Sequence, residues 1–166
     1  MAQGDIAMLK EGAFGSMGAT RHAVAAGAVG SIKPGELVLK ALGNASVAVW
    51  TASNTAKPVV GTDFIAGVSA SLSTDTAAAA GVVDIIPLAE GQVFLANPDT
   101  AATWDTQAKY DALVGRRVLL STTAGGVQTI LATDGATSGL VIQPLDISKY
   151  PGKVAFSIRS GANYLA

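Results

Sequence analysis

From Pro34 to Ala96 the chain repeats one pattern, a short apolar run followed by glycine or small polar residues. The runs are Pro34-Gly35-Glu36-Leu37-Val38-Leu39, Ser46-Val47-Ala48-Val49-Trp50, Phe64-Ile65-Ala66-Gly67-Val68-Ser69, Gly81-Val82-Val83-Asp84-Ile85-Ile86 and Glu90-Gly91-Gln92-Val93-Phe94-Leu95. Each has the length of a β-strand, is rich in Val, Ile or Leu, and is bounded by Gly, Pro, Asn or Ser. The pattern predicts a succession of short strands. The polar and small stretch Ser71 to Ala80 interrupts it as a loop, because the alanines of 77–80 are too few to hold a helix alone.

Asn97-Pro98-Asp99 marks a change of pattern. Between Thr103 and Leu113 the residues Trp104, Ala108 and Ala112 recur four apart, with Asp105, Lys109 and Asp111 for the exposed face, so a short helix is expected near 103–114. Thr103 or Asp105 is placed to cap its start and Gly115 to end it in a left-handed conformation. Strands resume at 117–120, 127–131 and 140–142, and Val154-Ala155-Phe156-Ser157-Ile158-Arg159 alternates as a strand with one buried face should. Gly125-Gly126 and Asp134-Gly135 have the chemistry of hairpin turns. Residues 1–20 carry Gly4, Gly12, Gly15 and Gly18 between scattered apolar side chains, which opposes helix and isolated strand alike and reads as an arm. The organisation expected is an arm over 1–20, a β lobe over 21–97 and a second β lobe with one helix over 98–166, or one continuous domain over 21–166. The fold class expected is mainly β, a small barrel or sandwich with a flexible N-terminal arm.

Composition narrows the function classes. A chain of 166 residues buries roughly 70% of its unfolded surface on folding, so a real core forms without staples. There is no cysteine, which excludes disulfides and thiolate metal sites, and His22 is the single histidine. Charged residues are 14% of the chain, against about 25% in an ordinary soluble domain. With a net charge of −1 and Arg116-Arg117 as the only adjacent basic pair, nucleic acid is not an expected partner. The mean hydropathy of +0.42 comes largely from Ala and Val, and no apolar run nears the roughly 20 residues of a spanning helix, so no membrane partner is expected. A surface of small, weakly charged side chains suits packing against other subunits. No secretory signal is expected, since Asp5, Lys10 and Glu11 break up the first residues, and Asn44-Ala45-Ser46 is read as a turn.

Reactive constellations are sparse. The spacing Gly12-x-x-Gly15-x-x-Gly18 lacks both the Gly-Lys-Ser/Thr ending of a phosphate loop and the strand–helix context of a dinucleotide loop. His22 with Asp63 and a serine has no Gly-x-Ser-x-Gly elbow to support a triad. Asp63, Asp75, Asp84, Asp99, Asp105, Asp111 and Asp134 are spread singly, without the pairing of a glycosidase or the alternation of a calcium loop. Trp50 and Trp104 read as core rather than stacking platforms, and Arg116-Arg117 as charges near a helix end and on an edge strand. The expectation is no catalytic, metal or cofactor site. Ile6, Met8, Leu9, Phe14 and Met17 are the candidate contact residues of the arm, which either buries them in a neighbour's groove or sheet edge or wraps its own domain.

In order and texture the block from Pro34 to Ala96 resembles the capsid decoration, or cement, proteins of tailed bacteriophages. The residues that carry the likeness are Pro34-Gly35-Glu36-Leu37-Val38, the aromatic-bearing strand Val47 to Trp50, Val59-Val60-Gly61 with Ala66-Gly67-Val68, and Glu90-Gly91-Gln92-Val93-Phe94, behind a mobile arm. The segment after Asn97 extends beyond that compact pattern. The resemblance implies a homotrimeric knob on the capsid exterior that bridges major capsid subunits and stabilises the shell. A tail, baseplate or adhesive β module is the second reading, and a carbohydrate-binding or hydrolytic domain the third.

Overall fold

A computed structural model describes residues 7–10, 18–27, 30–41, 43–49, 63–88, 92–122, 127–134 and 139–159. Among the described residues strand far outweighs helix, so the fold is mainly β. The strands are β1 (Ala7–Lys10), β2 (Thr20–Val24), β3 (Leu37–Ala41), β4 (Ala48–Val49), β5 (Asp63–Ser69), β6 (Gly81–Ile86), β7 (Val93–Pro98), β8 (Arg117–Thr122), β9 (Gln128–Asp134), β10 (Leu140–Ile142) and β11 (Val154–Ile158). A 3-10 turn, Ala101–Thr103, and one helix, α1 (Gln107–Asp111), lie between β7 and β8.

The first sheet runs in the order β2-β6-β5-β3-β4. A parallel bridge between Val24 and Val47 joins its two ends and closes a five-stranded barrel. Val24, Ile32, Val38, Val47, Ala66, Val83 and Ile85 form one buried cluster inside it. The other face of β3 and β5 is buried as well, because a register break leaves Ala66 as an extra residue on β5. Val38 opposes Gly67 while Leu39 opposes Ile65. The break puts Ile65 and Val68 on one face despite their spacing of three, where they join Leu37 and Leu39 in the larger core.

The second sheet is ordered β1-β7-β11-β10-β8-β9, with β7 also pairing parallel to β9. That pairing makes a closed ring of β7, β11, β10, β8 and β9. The residues that face each other around it are apolar: Phe94 opposite Phe156, Ala96 opposite Val154, Ile142 opposite Phe156, Leu140 opposite Ile158 and Val118, Leu120 opposite Ile130. All are buried, and they share one cluster with Leu37, Leu39, Ile65 and Val68 of the first barrel. The two barrels therefore pack on a common core. The passage from one to the other falls between Ile86 and Val93, ahead of the change in sequence pattern at Asn97, because β7 already belongs to the second barrel.

Gln128 fixes this junction. Its side chain is 2% exposed; its Oε1 accepts from the Leu37 N–H at 2.7 Å and its Nε2 donates to the Leu37 carbonyl at 3.0 Å. A buried amide thus stands in for a strand partner and satisfies both backbone groups of one residue in the other barrel.

The helix is shorter than its sequence pattern. Thr106, rather than Thr103 or Asp105, accepts from the Lys109 N–H at the start, and Gly115 follows with φ 81°. Tyr110 is fully buried, and Trp104 packs on it with ring centroids 5.8 Å apart. The Tyr110 hydroxyl accepts from the Ala155 N–H at 2.8 Å and donates to the Gln143 carbonyl at 3.0 Å, bridging β11 and the chain just beyond β10. Burial pushes its ionisation upward. Replacing Tyr110 by phenylalanine strands the Ala155 N–H, and urea denaturation should show a loss of about 1–3 kcal/mol.

Two assignments change. Arg117 opens β8, which lies between β10 and β9, so it is not an edge-strand charge. The chain from β9 to β10 is not a hairpin, since β10 pairs with β8 and β11. Gly125-Gly126 and Gly135 lie outside the described residues.

Candidate interaction surface

The segment Ala7–Lys10 forms a strand on the edge of β7, antiparallel, with Ala7 opposite Leu95, Met8 opposite Phe94 and Lys10 opposite Val93. The register shifts between Met8 and Lys10, so the pairing is short. On that same edge β9 takes the next part of β7, with Thr129 opposite Asn97 and Ile130 opposite Pro98. Strand β1 is thus laid on a barrel whose ring is complete without it. Of the arm residues singled out from sequence, Met8 and Leu9 lie in this strand, while Ile6, Phe14 and Met17 lie outside the described residues. The apolar run Ala7-Met8-Leu9 is the signal that an isolated-strand criterion passes over.

On the first barrel the loop before β6 lies along that strand. Ala70 N–H donates to the Asp84 carbonyl and Thr74 N–H to the Val82 carbonyl, while the Ser71 and Thr74 hydroxyls accept from the Asp84 and Val82 N–H groups. This leaves Leu72, at 55% exposure, and Val82, at 36%, facing outward. Beside them Arg21 of β2 pairs with Asp84 of β6, directly opposite in register, at 3.0 Å. The hydrogen bond between them lowers the Asp84 ionisation and raises that of Arg21. Arg21 is exposed and Asp84 partly so, which keeps the contribution of this pair to stability small.

The remaining polar groups take structural positions. His22 sits on β2, half-buried, with its Nε2 2.9 Å from the Thr20 hydroxyl; burial, then the charge of Lys40, pushes its ionisation down. Asp63 begins β5, opposite Ala41, and its side chain is outside the described set. Asp75 is 1% exposed and accepts from the Ser73 hydroxyl and the Ser31 N–H, which hold its ionisation down, while its Oδ2 has no partner among the described residues. With Gly27 N–H donating to the Thr76 carbonyl and Gly30 N–H to the Asp75 carbonyl, this group pins the chain after β2 to the 70–80 loop. Glu36, buried, accepts from the Lys33 N–H at 2.7 Å, and burial pushes its ionisation up.

Asp105 and Asp111 take separate partners. Asp105 pairs with Lys109 at 2.7 Å and Asp111 accepts from the Gln107 amide at 2.7 Å. Among the described residues no group of three or more His, Asp or Glu side chains converges as metal ligands do. A shallow open depression of about 480 Å³, lined by Gln107, Asp111, Pro144, Leu145 and Asp146, lies beside α1. Gln107 is committed there, since its amide also donates to the Leu145 carbonyl at 2.9 Å and accepts from the Ile147 N–H at 3.2 Å. Trp104 is a core residue, as its helical spacing implies, whereas Trp50 lies outside the described residues. Among the described residues no helix is long and apolar enough to cross a membrane.

Sequence reasoning did not single out Gln128, Tyr110 or Asp75 as structural anchors. Only a polar residue between β-formers, as in Val127-Gln128-Thr129, hints at the first of these. Compared with known protein families, with curated proteins and with solved structures, the chain finds no match.

Proposed function

We propose that this chain is a structural component of a bacteriophage particle, a cement protein that seats on the capsid exterior and bridges major capsid subunits. The observation that supports this best is β1, a short strand from the arm segment added by main-chain pairing to a barrel already closed without it. A segment that binds a sheet edge in this way has the chemistry needed to engage an edge on a shell subunit, where backbone hydrogen bonds give affinity with few side-chain requirements. The weakly charged, small-residue surface supports the same reading, because copies seated side by side on a lattice desolvate few charges. In this reading the protein acts mechanically, carries out no chemical step, and needs no cofactor. Copies around a closed ring, most simply a homotrimer, gain avidity from shared geometry.

Shell occupancy tests the reading. Chain lacking residues 1–20 should decorate expanded shells at a small fraction of the full-length copy number, measured by densitometry of purified particles and by electron microscopy. Full occupancy by the truncated chain would overturn the role of the arm, and failure of the full-length chain to bind any shell would overturn the reading itself.

A further inference from the structure

The topology around β1 carries one step more. Strand β1 occupies the half of the β7 edge, Val93 to Leu95, that β9 leaves uncovered, yet the chain goes on from it to β2 in the other barrel. Its removal breaks no pairing of the ring β7-β11-β10-β8-β9 and takes away only its own short ladder. Residues 11–19, which join β1 to β2, include Gly12, Gly15 and Gly18 and no proline. A link of that length spans at most about 30 Å when extended. A second copy whose β7 edge lies within that distance is in reach of the same strand.

We propose that copies of this chain join by exchanging β1: Ala7–Lys10 of one copy lies on Val93–Leu95 of the next, in the register that the single chain shows. The exchanged strand makes the same backbone hydrogen bonds as before, so the cost is confined to bringing two copies together. With a net charge of −1, long-range repulsion between copies is slight. Exchange that is reciprocal between two copies gives a closed dimer, and exchange passed from copy to copy gives a ring when the rotation closes. This goes beyond capsid binding: it names the contact between copies and holds or fails without a shell.

The absence of cysteine in the sequence makes the test direct. Ala7→Cys chains and Leu95→Cys chains are mixed, dissociated at low concentration, reassembled, and treated with a short thiol–thiol cross-linker. Exchange predicts a covalent heterodimer, and the Ala7→Cys/Leu95→Cys double variant should give a ladder ending at the ring size found by light scattering. A double variant that cross-links wholly within single chains, with no heterodimer in the mixture, overturns the proposal. Chain lacking residues 1–10 should be folded by circular dichroism and monomeric by light scattering; an unchanged oligomer in that variant also overturns it. Neither outcome depends on whether the protein decorates a capsid, which is decided by whether the full-length chain binds shells, since loss of occupancy on removing residues 1–20 follows from either role of β1.

Discussion

Replacing Gln128 by leucine should lower the unfolding free energy by about 2–6 kcal/mol, the cost of leaving two buried backbone groups unpaired at about 1–3 kcal/mol each. Both groups belong to Leu37, whose N–H and carbonyl meet the Gln128 amide at 2.7 and 3.0 Å. For a chain of this size each kcal/mol corresponds to roughly 2–4 °C in Tm, so scanning calorimetry resolves the effect easily. Gln128→Glu separates hydrogen bonding from shape. The carboxylate keeps an acceptor for the Leu37 N–H but cannot donate to the carbonyl, and burial disfavours its charge. Protonation restores a donor, so the deficit of Gln128→Glu relative to the natural chain should shrink as pH falls through the raised carboxyl pKa of the folded state. A leucine variant as stable as the natural chain would show that the junction rests on apolar packing alone.

Gly67→Ala should cost about 2–6 kcal/mol, the sum of overpacking and backbone strain. A Cβ built at Gly67 lies 2.2 Å from the Ile86 carbonyl oxygen and 2.4 Å from the Ile85 side chain. The first of these is backbone of the paired strand and has nowhere to move without opening the barrel. The residue also holds φ 155°, where side chains are rare. Gly115→Ala is the control for strain alone: φ there is 81°, but no heavy atom lies within 4 Å of the new Cβ. It should cost about 1–2 kcal/mol. If the two variants lose equal stability in urea, the close approach at Ile86 is not what requires glycine at Gly67.

Strand existence was largely legible in the sequence where a run is apolar and bounded by turn residues. The runs at 81–86 and 140–142 match β6 and β10, and the runs around Leu37, Ile65 and Val118 fall within a few residues of β3, β5 and β8. Strand β1 escaped, being a four-residue addition whose stability lies in the edge it pairs with, while β2, Thr20–Val24, is mostly exposed and carries Arg21 and His22, so little hydrophobic pattern marks its bounds. The helix was placed correctly but drawn too long. Its pattern of Trp104, Ala108 and Ala112 spans the 3-10 turn as well as α1, and the period alone does not show where Thr106 interrupts them. Of the candidate contact residues, the sequence identified an apolar arm but not its docking edge, which depends on β9 leaving part of β7 uncovered.

Local chemistry in the chain itself determined that it is mainly β, because short β-branched runs between glycines and prolines fit a pleated strand and little else. It also determined that thiol chemistry is excluded and that the surface is weakly charged. Which strands are neighbours was decided only by tertiary structure. Register and closure arise from contacts far apart in sequence, such as Val24 with Val47, Asn97 with Thr129, and Gln128 with Leu37. A short valine-rich run carries a preference for being a strand but names no partner, and so the two closed rings and the amide that joins them exist only once the whole chain has packed.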